Sequence, residues 1–288
     1  AYAESDDGIH WTKPKFDFVF HGSGPNNLVN LALHSATVFI DPASPSSHRY
    51  RAVGCGYKSL FMAHAEITDP GYYTAHSADG LHWKLDDNKP RWYSADVVTT
   101  LYHPGQQRGL VAMKYTPRVG RIMRRSIHTA EFRNGVYSDA VSALYADEYD
   151  DMSAIARGHT SCDYYGMGMQ GAGSGTVGFL WNFWHDLPYT GDGHFALYGT
   201  SDVTLVYQPE PGGKWFHVPG RPTFIDHTAC PWMNGWINTS SCPVEMGDEH
   251  WLFFSGFNIS HGFYLDPKWG VLDKWSEWTT RHGRSGIG

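Results

Sequence analysis

Residues 77–83 read SADGLHW, and residues 5–11 read SDDGIHW. A small-polar-Asp-Gly-x-His-Trp string used twice is a turn signature. Its Ser and Asp hydrogen-bond back onto their own backbone, Gly takes a positive φ, and Trp anchors the hairpin in a core. Each copy ends a strand, clearest in GYYTAHSADGLHW, and leads into a Lys/Pro-rich exit, TKPKF or KLDDNKPRW. Fainter relatives lie in HTAEFRNGVYS and YGTSDVTLVYQPEPGGKWFHV.

A second element recurs beside the turns. SATVFIDPASPSSHRYRAVGCG (35–56) parallels DVVTTLYHPGQQRGLVAMKY (96–115): an apolar strand, an x-Pro turn, then another strand. DYYGMGMQGAGSGTVGFLW (163–181) and CPVEMGDEHWLFFSG (242–256) have the same two-strand shape. Units of this size made only of short strands predict an all-β fold, a β-propeller of four-stranded antiparallel blades. With strands lettered A to D outward from the axis, the second element is an A–B hairpin and SxDGxHW is a C–D turn. Repeat spacing predicts about five blades in a single domain over residues 1–288. The first residues are expected to give the last blade an outer strand.

Composition agrees. Aromatic residues make up 15% of the chain, and 32 glycines supply turns, a mixture that suits pleated faces joined tightly. No run approaches the ~20 apolar residues of a membrane span, so no membrane partner is expected. No basic-then-apolar leader is present. The chain opens at AYAESDDG, inside a predicted strand, so N-terminal sequence is expected to be missing. A net charge of −7 argues against nucleic acid as partner. Against it stands one basic stretch, KYTPRVGRIMRR (114–125), which reads as a solvated loop or as a pocket for carboxylate or sulfate.

In a propeller, A-strand starts and B–C loops share one mouth near the axis, where ligands bind. That rule sorts the 17 histidines. His10 and His82 belong to the turn signature, and His103 to an A–B turn on the opposite face. His34 opens the first A strand, and His64 lies in the B–C loop of the same blade. In the next blade the B strand ends at Tyr115, followed by Arg118, Arg121, Arg124 and Arg125. The third A strand starts with Asp163, Tyr164 and Tyr165. β-Elimination of a uronate needs a cation on the carboxylate, a base for the C5 proton and an acid for the O4 leaving group. Arg, His and Tyr suit those roles. Carboxylates offer a rival, since glycosidases use a pair as acid and base. Asp96 and Asp163 are expected to face the axis, Asp41 to serve a turn, and Glu245 to sit farther down its strand.

The four cysteines form no CxxC pair. GHTSCDYY offers His159 and Cys162, DHTACPW offers His227 and Cys230, and TSSCP adds Cys242. Such ligands suit a closed structural zinc site. Buried free thiols and a Cys230–Cys242 disulfide are the alternatives.

The run SDDGIHWTKP…NNLV…VFIDP…HRYRAVG, with DYYGMG…VGFLW and GDEHWLFFSG, resembles carbohydrate-active propellers related to the family 32 and 43 glycoside hydrolases, over most of residues 1–265. Within that group, the His/Tyr/Arg constellation and the zinc ligands are similar to the ulvan lyases of polysaccharide lyase family 25. The resemblance implies seven blades, a structural zinc, and cleavage beside a uronic acid in a sulfated algal polysaccharide. It places the catalytic roles on His34, His64, Tyr115 and Arg125, with Arg118 and Arg121 as alternative arginines. Arg118, Arg121, Tyr164, Tyr165 and Asp96 become substrate contacts. A secreted or periplasmic monomer acting on an anionic polysaccharide is expected. A propeller glycosidase and a non-catalytic carbohydrate-binding propeller are the competing readings.

Overall fold

The computed structural model describes residues 1–19, 24–31, 33–57, 67–119, 122–187, 198–262 and 285–287. Among the described residues, four principal antiparallel sheets follow one another along the chain. The first comprises β1 (His34–Ile40), β2 (Tyr50–Gly56), β3 (Gly71–Ser77) and β4 (Lys84–Leu85). The second runs from β5 (Val98–His103) through β6 (Arg108–Tyr115) to β9 (Ser126–Arg133). Its outermost strand is broken into β10 (Val136–Tyr137) and β11 (Val141–Tyr145), both paired with β9. A small hairpin, β7 (Arg118–Val119) with β8 (Ile122–Met123), fills its B–C loop.

Helix α1 (Glu148–Ala156) connects the second sheet to the third. Asp147 caps it, accepting from the Tyr149 and Asp150 amides while Asp150 answers the Asp147 amide, which satisfies donors a helix start leaves open. The third sheet has β12 (Ser161–Ala172), β13 (Gly175–His185) and β14 (Gly199–Gln208), with β15 (Phe216–His217) and β16 (Thr223–Ile225) both on β14. The fourth pairs β17 (Trp236–Thr239) with β20 (Phe254–Phe257) and β20 with β21 (Ser285–Ile287). Beyond it extends the hairpin of β18 (Val244–Met246) and β19 (Glu249–Trp251).

Each sheet packs face to face on the next, as blades do. Phe39, Val53 and Tyr72 of the first meet Val98, Val111 and Phe132 of the second. Leu110 and Ile127 meet Tyr164, Met167 and Leu180. Phe179, Phe183 and Val203 meet Trp236 and Ile237. The inner strands converge where Thr37 Oγ1 lies 2.8 Å from Thr100 Oγ1 and 2.7 Å from Ser241 Oγ. The fold is a β-propeller.

Both SxDGxHW copies fold identically. In the second, Ser77 Oγ accepts from the Gly80 amide at 3.0 Å, and Asp79 Oδ1 accepts from the Leu81 and His82 amides at 2.9 and 2.8 Å. Trp83 Nε1 donates to the Gly80 carbonyl at 2.9 Å. Ser5, Asp7, Gly8 and Trp11 repeat each bond. Gly8 and Gly80 both take positive φ, +74° and +78°.

Three expectations are corrected. First, the described residues form four principal sheets, one for each strand–turn–strand unit, but the fourth unit opens at β17, before residue 242, and strands β18, β19 and β20 continue the hairpin that β17 starts. Second, no described pairing joins residues 1–19 to the fourth sheet, whose outermost described strand is β21. The N-terminal turn instead packs on that blade through side chains: a Cβ at Gly8 would lie 3.2 Å from Phe253, and Trp11 meets Phe253 edge-on at 6.5 Å. Third, the two fainter turns differ in chemistry. Asn134-Gly135, with φ of +51° and +80°, makes a two-residue hairpin turn, while Ser201 and Asp202 are buried inside β14.

Candidate active site at the propeller mouth

Local irregularities at the A-strand starts aim side chains across the mouth. In β1 the ladder passes from His34↔Cys55 to Thr37↔Val53, so Ser35 and Ala36 together oppose Gly54, and Ser35 has φ +49°. In β12 it passes from Tyr164↔Asn182 to Gly166↔Trp181, leaving Tyr165 as the extra residue of a bulge. Bulges re-aim side chains in this way. Two residues before β5, Asp96 takes φ +92°, a conformation that costs a non-glycine residue about 1–3 kcal/mol and tends to collect at working sites.

These three residues meet. His34 Nε2 donates to Asp96 Oδ1 at 3.1 Å. Asp96 Oδ2 accepts from Tyr165 Oη at 3.0 Å and from Lys114 Nζ. Tyr165 Oη also lies 3.1 Å from His261 Nε2. Its single proton goes to the carboxylate, so His261 donates to it. Lys114 and Arg125 lie over the Tyr165 ring, 4.4 and 4.9 Å from its centroid. Burial opposes ionisation of Asp96, but the His34 hydrogen bond and the Lys114 charge outweigh it. They hold the carboxyl well below its usual range. Burial draws Lys114 down from the usual ammonium value, against the pull of Asp96.

Asp163 belongs to a second, deeper cluster. It is 2% exposed and lies 3.0 Å from His185 Nε2, 3.3 Å from Arg125 Nη1 and 3.5 Å from Arg124 Nε. Burial raises its carboxyl, yet His185 and Arg125 bring it below the ordinary value.

The sequence candidates now divide. His34, Asp96 and Tyr165 are brought together. Tyr115 ends β6 at the same mouth but points to the opposite face from Lys114, as strand alternation requires, and stacks on His128 at 4.1 Å. Burial raises its hydroxyl pKa. Arg125 is buried against Tyr165 and Phe183 and paired with Asp163, so it shapes the field rather than reaching solvent. Arg124 forms a fork with Asp151, at 2.8 and 3.1 Å. Tyr164 is not a substrate contact: it is fully buried, and its hydroxyl donates to Asp150 at 2.5 Å. Arg118 lies in β7. His64 and Arg121 fall outside the described residues. Asp41 is a turn residue, accepting from Ser44 and Tyr102, and Glu245 lies in β18 beside the opposite opening with His103 and His250.

Residue reading missed Lys114, Tyr57, His185 and His261. Lys114 was visible in the basic stretch, and period-two alternation beside Tyr115 would have pointed it at the neighbouring blade. Tyr57 follows β2, half-buried, its ring 5.9 Å from that of His34, and burial raises its hydroxyl pKa. His185 and His261 reach the site only through the ring of blades.

The histidine–cysteine pairs do not converge. Cys162 is buried in the core between the second and third sheets, and burial pushes its thiol pKa up. Cys242 packs on that core from outside, and Cys230 on the next one. All four cysteines are free thiols, so no Cys230–Cys242 bridge forms. His159 pairs with Asp186 at 2.9 Å. Among the described residues one metal-capable trio exists, Asp202, Asp226 and His227. Asp202 there already accepts from His227, Trp184 and the Arg157 guanidinium, so a cation occupies the place a metal would neutralise. The donors present do not fit a zinc site of Cys and His.

No protein-family model matches the chain, and no curated protein matches it in sequence. Its backbone superposes on an N-acetylgalactosamine deacetylase from F. plautii, solved with blood group B trisaccharide. The TM-score is 0.51 at 13% identity, over 88% of this chain and 70% of that one. A glycoside hydrolase gives 0.46 at 12% identity over 78% and 65%, and a Penicillium chrysogenum α-L-arabinanase complexed with arabinobiose gives 0.43 at 8% over 78% and 57%. At these identities the first likeness bears on the fold alone, and the other two carry no argument. No described helix is long and apolar enough to cross a membrane.

Proposed function

We propose that the chain is a carbohydrate-active enzyme that cleaves a uronate-containing, sulfated polysaccharide by β-elimination at this mouth. One observation carries the reading. Asp96 at the mouth is committed to His34, Tyr165 and Lys114, and the buried Asp163 behind it to His185, Arg125 and Arg124, so neither is poised to give a leaving group its proton. The groups able to move protons there are a histidine and tyrosines.

In this reading neutral His34, with its Nε2–H committed to Asp96, takes the C5 proton on Nδ1. The C5–H electrons form the C4=C5 bond, the C4–O4 bond breaks, and a tyrosine hydroxyl, Tyr57 or Tyr115, protonates O4. The cation for the uronate carboxylate is assigned to Arg118, from its place in the B–C loop and its charge, since Arg124 is committed to Asp151. Ulvan is the first substrate to test.

Incubation with ulvan is expected to yield ultraviolet absorbance from the conjugated unsaturated uronate, with His34→Ala lowering the rate by at least about 10²-fold. Reducing sugar released without that absorbance would overturn the lyase reading. It would support a glycosidase, the second reading, favoured by the placement of Asp96 and Asp163 at neighbouring A-strand starts.

A further inference from the structure

The mouth contains an arrangement that acid–base chemistry by His34 alone does not require. Asp96 spends one carboxylate oxygen on His34 Nε2, 3.1 Å away, and the other on two donors, Tyr165 Oη and Lys114 Nζ. Both donors come from neighbouring strands, β12 and β6, rather than from the loop that carries Asp96. The loop holds a left-handed backbone at Asp96, φ +92°, to present the carboxylate in that orientation.

We infer that Asp96 is a positioning residue for His34: it holds the imidazole as the Nε2–H tautomer, with Nδ1 as the basic nitrogen, and Lys114 and Tyr165 lock its orientation. An ionised carboxylate only accepts, so the imidazole nitrogen facing it must carry the proton. A pinned carboxylate cannot turn to follow another ring position. This inference rests on the assignment of His34 as the base.

The geometry makes Asp96→Asn more informative than removal of the side chain. Asn tolerates positive φ nearly as well as Asp, so the backbone is preserved. Lys114 and Tyr165 are both donors and will claim the amide oxygen. The amide NH2 then faces His34 Nε2, which must accept, and the ring is driven to the Nδ1–H tautomer with its basic nitrogen pointing away from substrate. Inversion of tautomer by such a substitution lowers turnover by up to about 10⁴-fold where an Asp orients a catalytic His.

The test uses the full chain labelled with ¹⁵N-histidine, His34 being assigned by its disappearance in His34→Gln. The wild-type spectrum is expected to show the Nε2–H tautomer of His34 and the Asp96→Asn spectrum the Nδ1–H tautomer. On ulvan, Asp96→Asn is expected to lower kcat by about 10²-fold or more with KM unchanged within about two-fold. If Asp96→Asn does not fold because Lys114 is left buried and unpaired, Asp96→Asn/Lys114→Met removes the stranded charge, and Tyr165 alone still orients the amide. An unchanged tautomer in whichever variant folds, or an unchanged kcat beside an inactive His34→Gln, overturns the inference. Full activity in His34→Gln instead overturns the base assignment, and the spectra still report whether Asp96 sets the tautomer.

Discussion

Trp11 and Trp83 close the same turn with the same hydrogen bonds, yet Trp83 is 4% exposed and Trp11 53%. The difference lies in what covers them. Trp83 sits among Val29, Leu31, Tyr50, Ala52 and Leu85, whereas Trp11 touches Phe253 edge-on. Trp83→Ala is therefore expected to cost about 3–5 kcal/mol, and Trp11→Ala less than about 1 kcal/mol, by urea denaturation. Equal costs would mean that the turn's own bonds, rather than the core beneath the Trp, carry the stabilisation. At the mouth the same principle governs the carboxylates. Asp41, Asp96 and Asp163 all lie near inner strands, but their partners differ and so do their roles. Asp41 braces a turn, Asp163 holds buried cations, and Asp96 faces a half-exposed histidine.

At the scale of the element, bulges do what regular strands cannot. A strict period of two would send Tyr164 and Tyr165 to alternate faces in phase with the rest of β12. The extra residue at Tyr165 resets that phase, so the strand keeps Tyr164 in one core while delivering the Tyr165 hydroxyl to Asp96. Gly166 makes the bulge possible. A Cβ there would stand 2.4 Å from Trp181 Cε3 and 3.0 Å from Val97 Cγ1, and Trp181 is fixed by its own bond to Thr239 at 2.9 Å. Gly166→Ala is expected to cost about 1–3 kcal/mol through overpacking, read as a lower Tm. It should also weaken catalysis by moving Tyr165. A wild-type Tm would show that the ring of Trp181 can yield.

For the whole molecule, acid is the informative stress. The carboxyls of Asp7 and Asp79 are held below their usual range chiefly by histidine and backbone hydrogen bonds, and that of Asp96, against burial, by the His34 hydrogen bond and the Lys114 charge. The Arg221 hydrogen bonds bring Asp147 to about 2. A carboxyl depressed in the folded state stabilises it above the unfolded pKa and loses that contribution as pH falls through the folded value. Urea midpoints are thus expected to fall steadily as pH drops from about 4 toward about 2. The Arg221→Met variant should begin from a lower plateau and show a shallower fall. Arg221 also pairs with the buried Asp150 at 2.7 Å, so identical acid profiles would show that its pairs with Asp147 and Asp150 together contribute nothing to the fold.

The blade was legible in the chain because its determinants are local. A Ser-Asp-Gly turn closes on its own amides, and strand–Pro–strand runs such as 35–56 and 96–115 pair with their nearest neighbours. His34 and Asp96 were legible for the same reason, each having a fixed place relative to a strand start. What closed the ring was not local. Where the fourth blade opens depended on tertiary pairing, since β17 and β20 pair across the β18–β19 hairpin and so start the blade before residue 242. The site partners Lys114, Tyr165 and His261 come from three blades and meet only when the sheets pack. The cysteines spaced for a metal part company for the same reason, since packing sends Cys162 and Cys230 into different cores. Local hydrogen bonding specified the repeat unit, and inter-blade packing alone decided which side chains share the mouth.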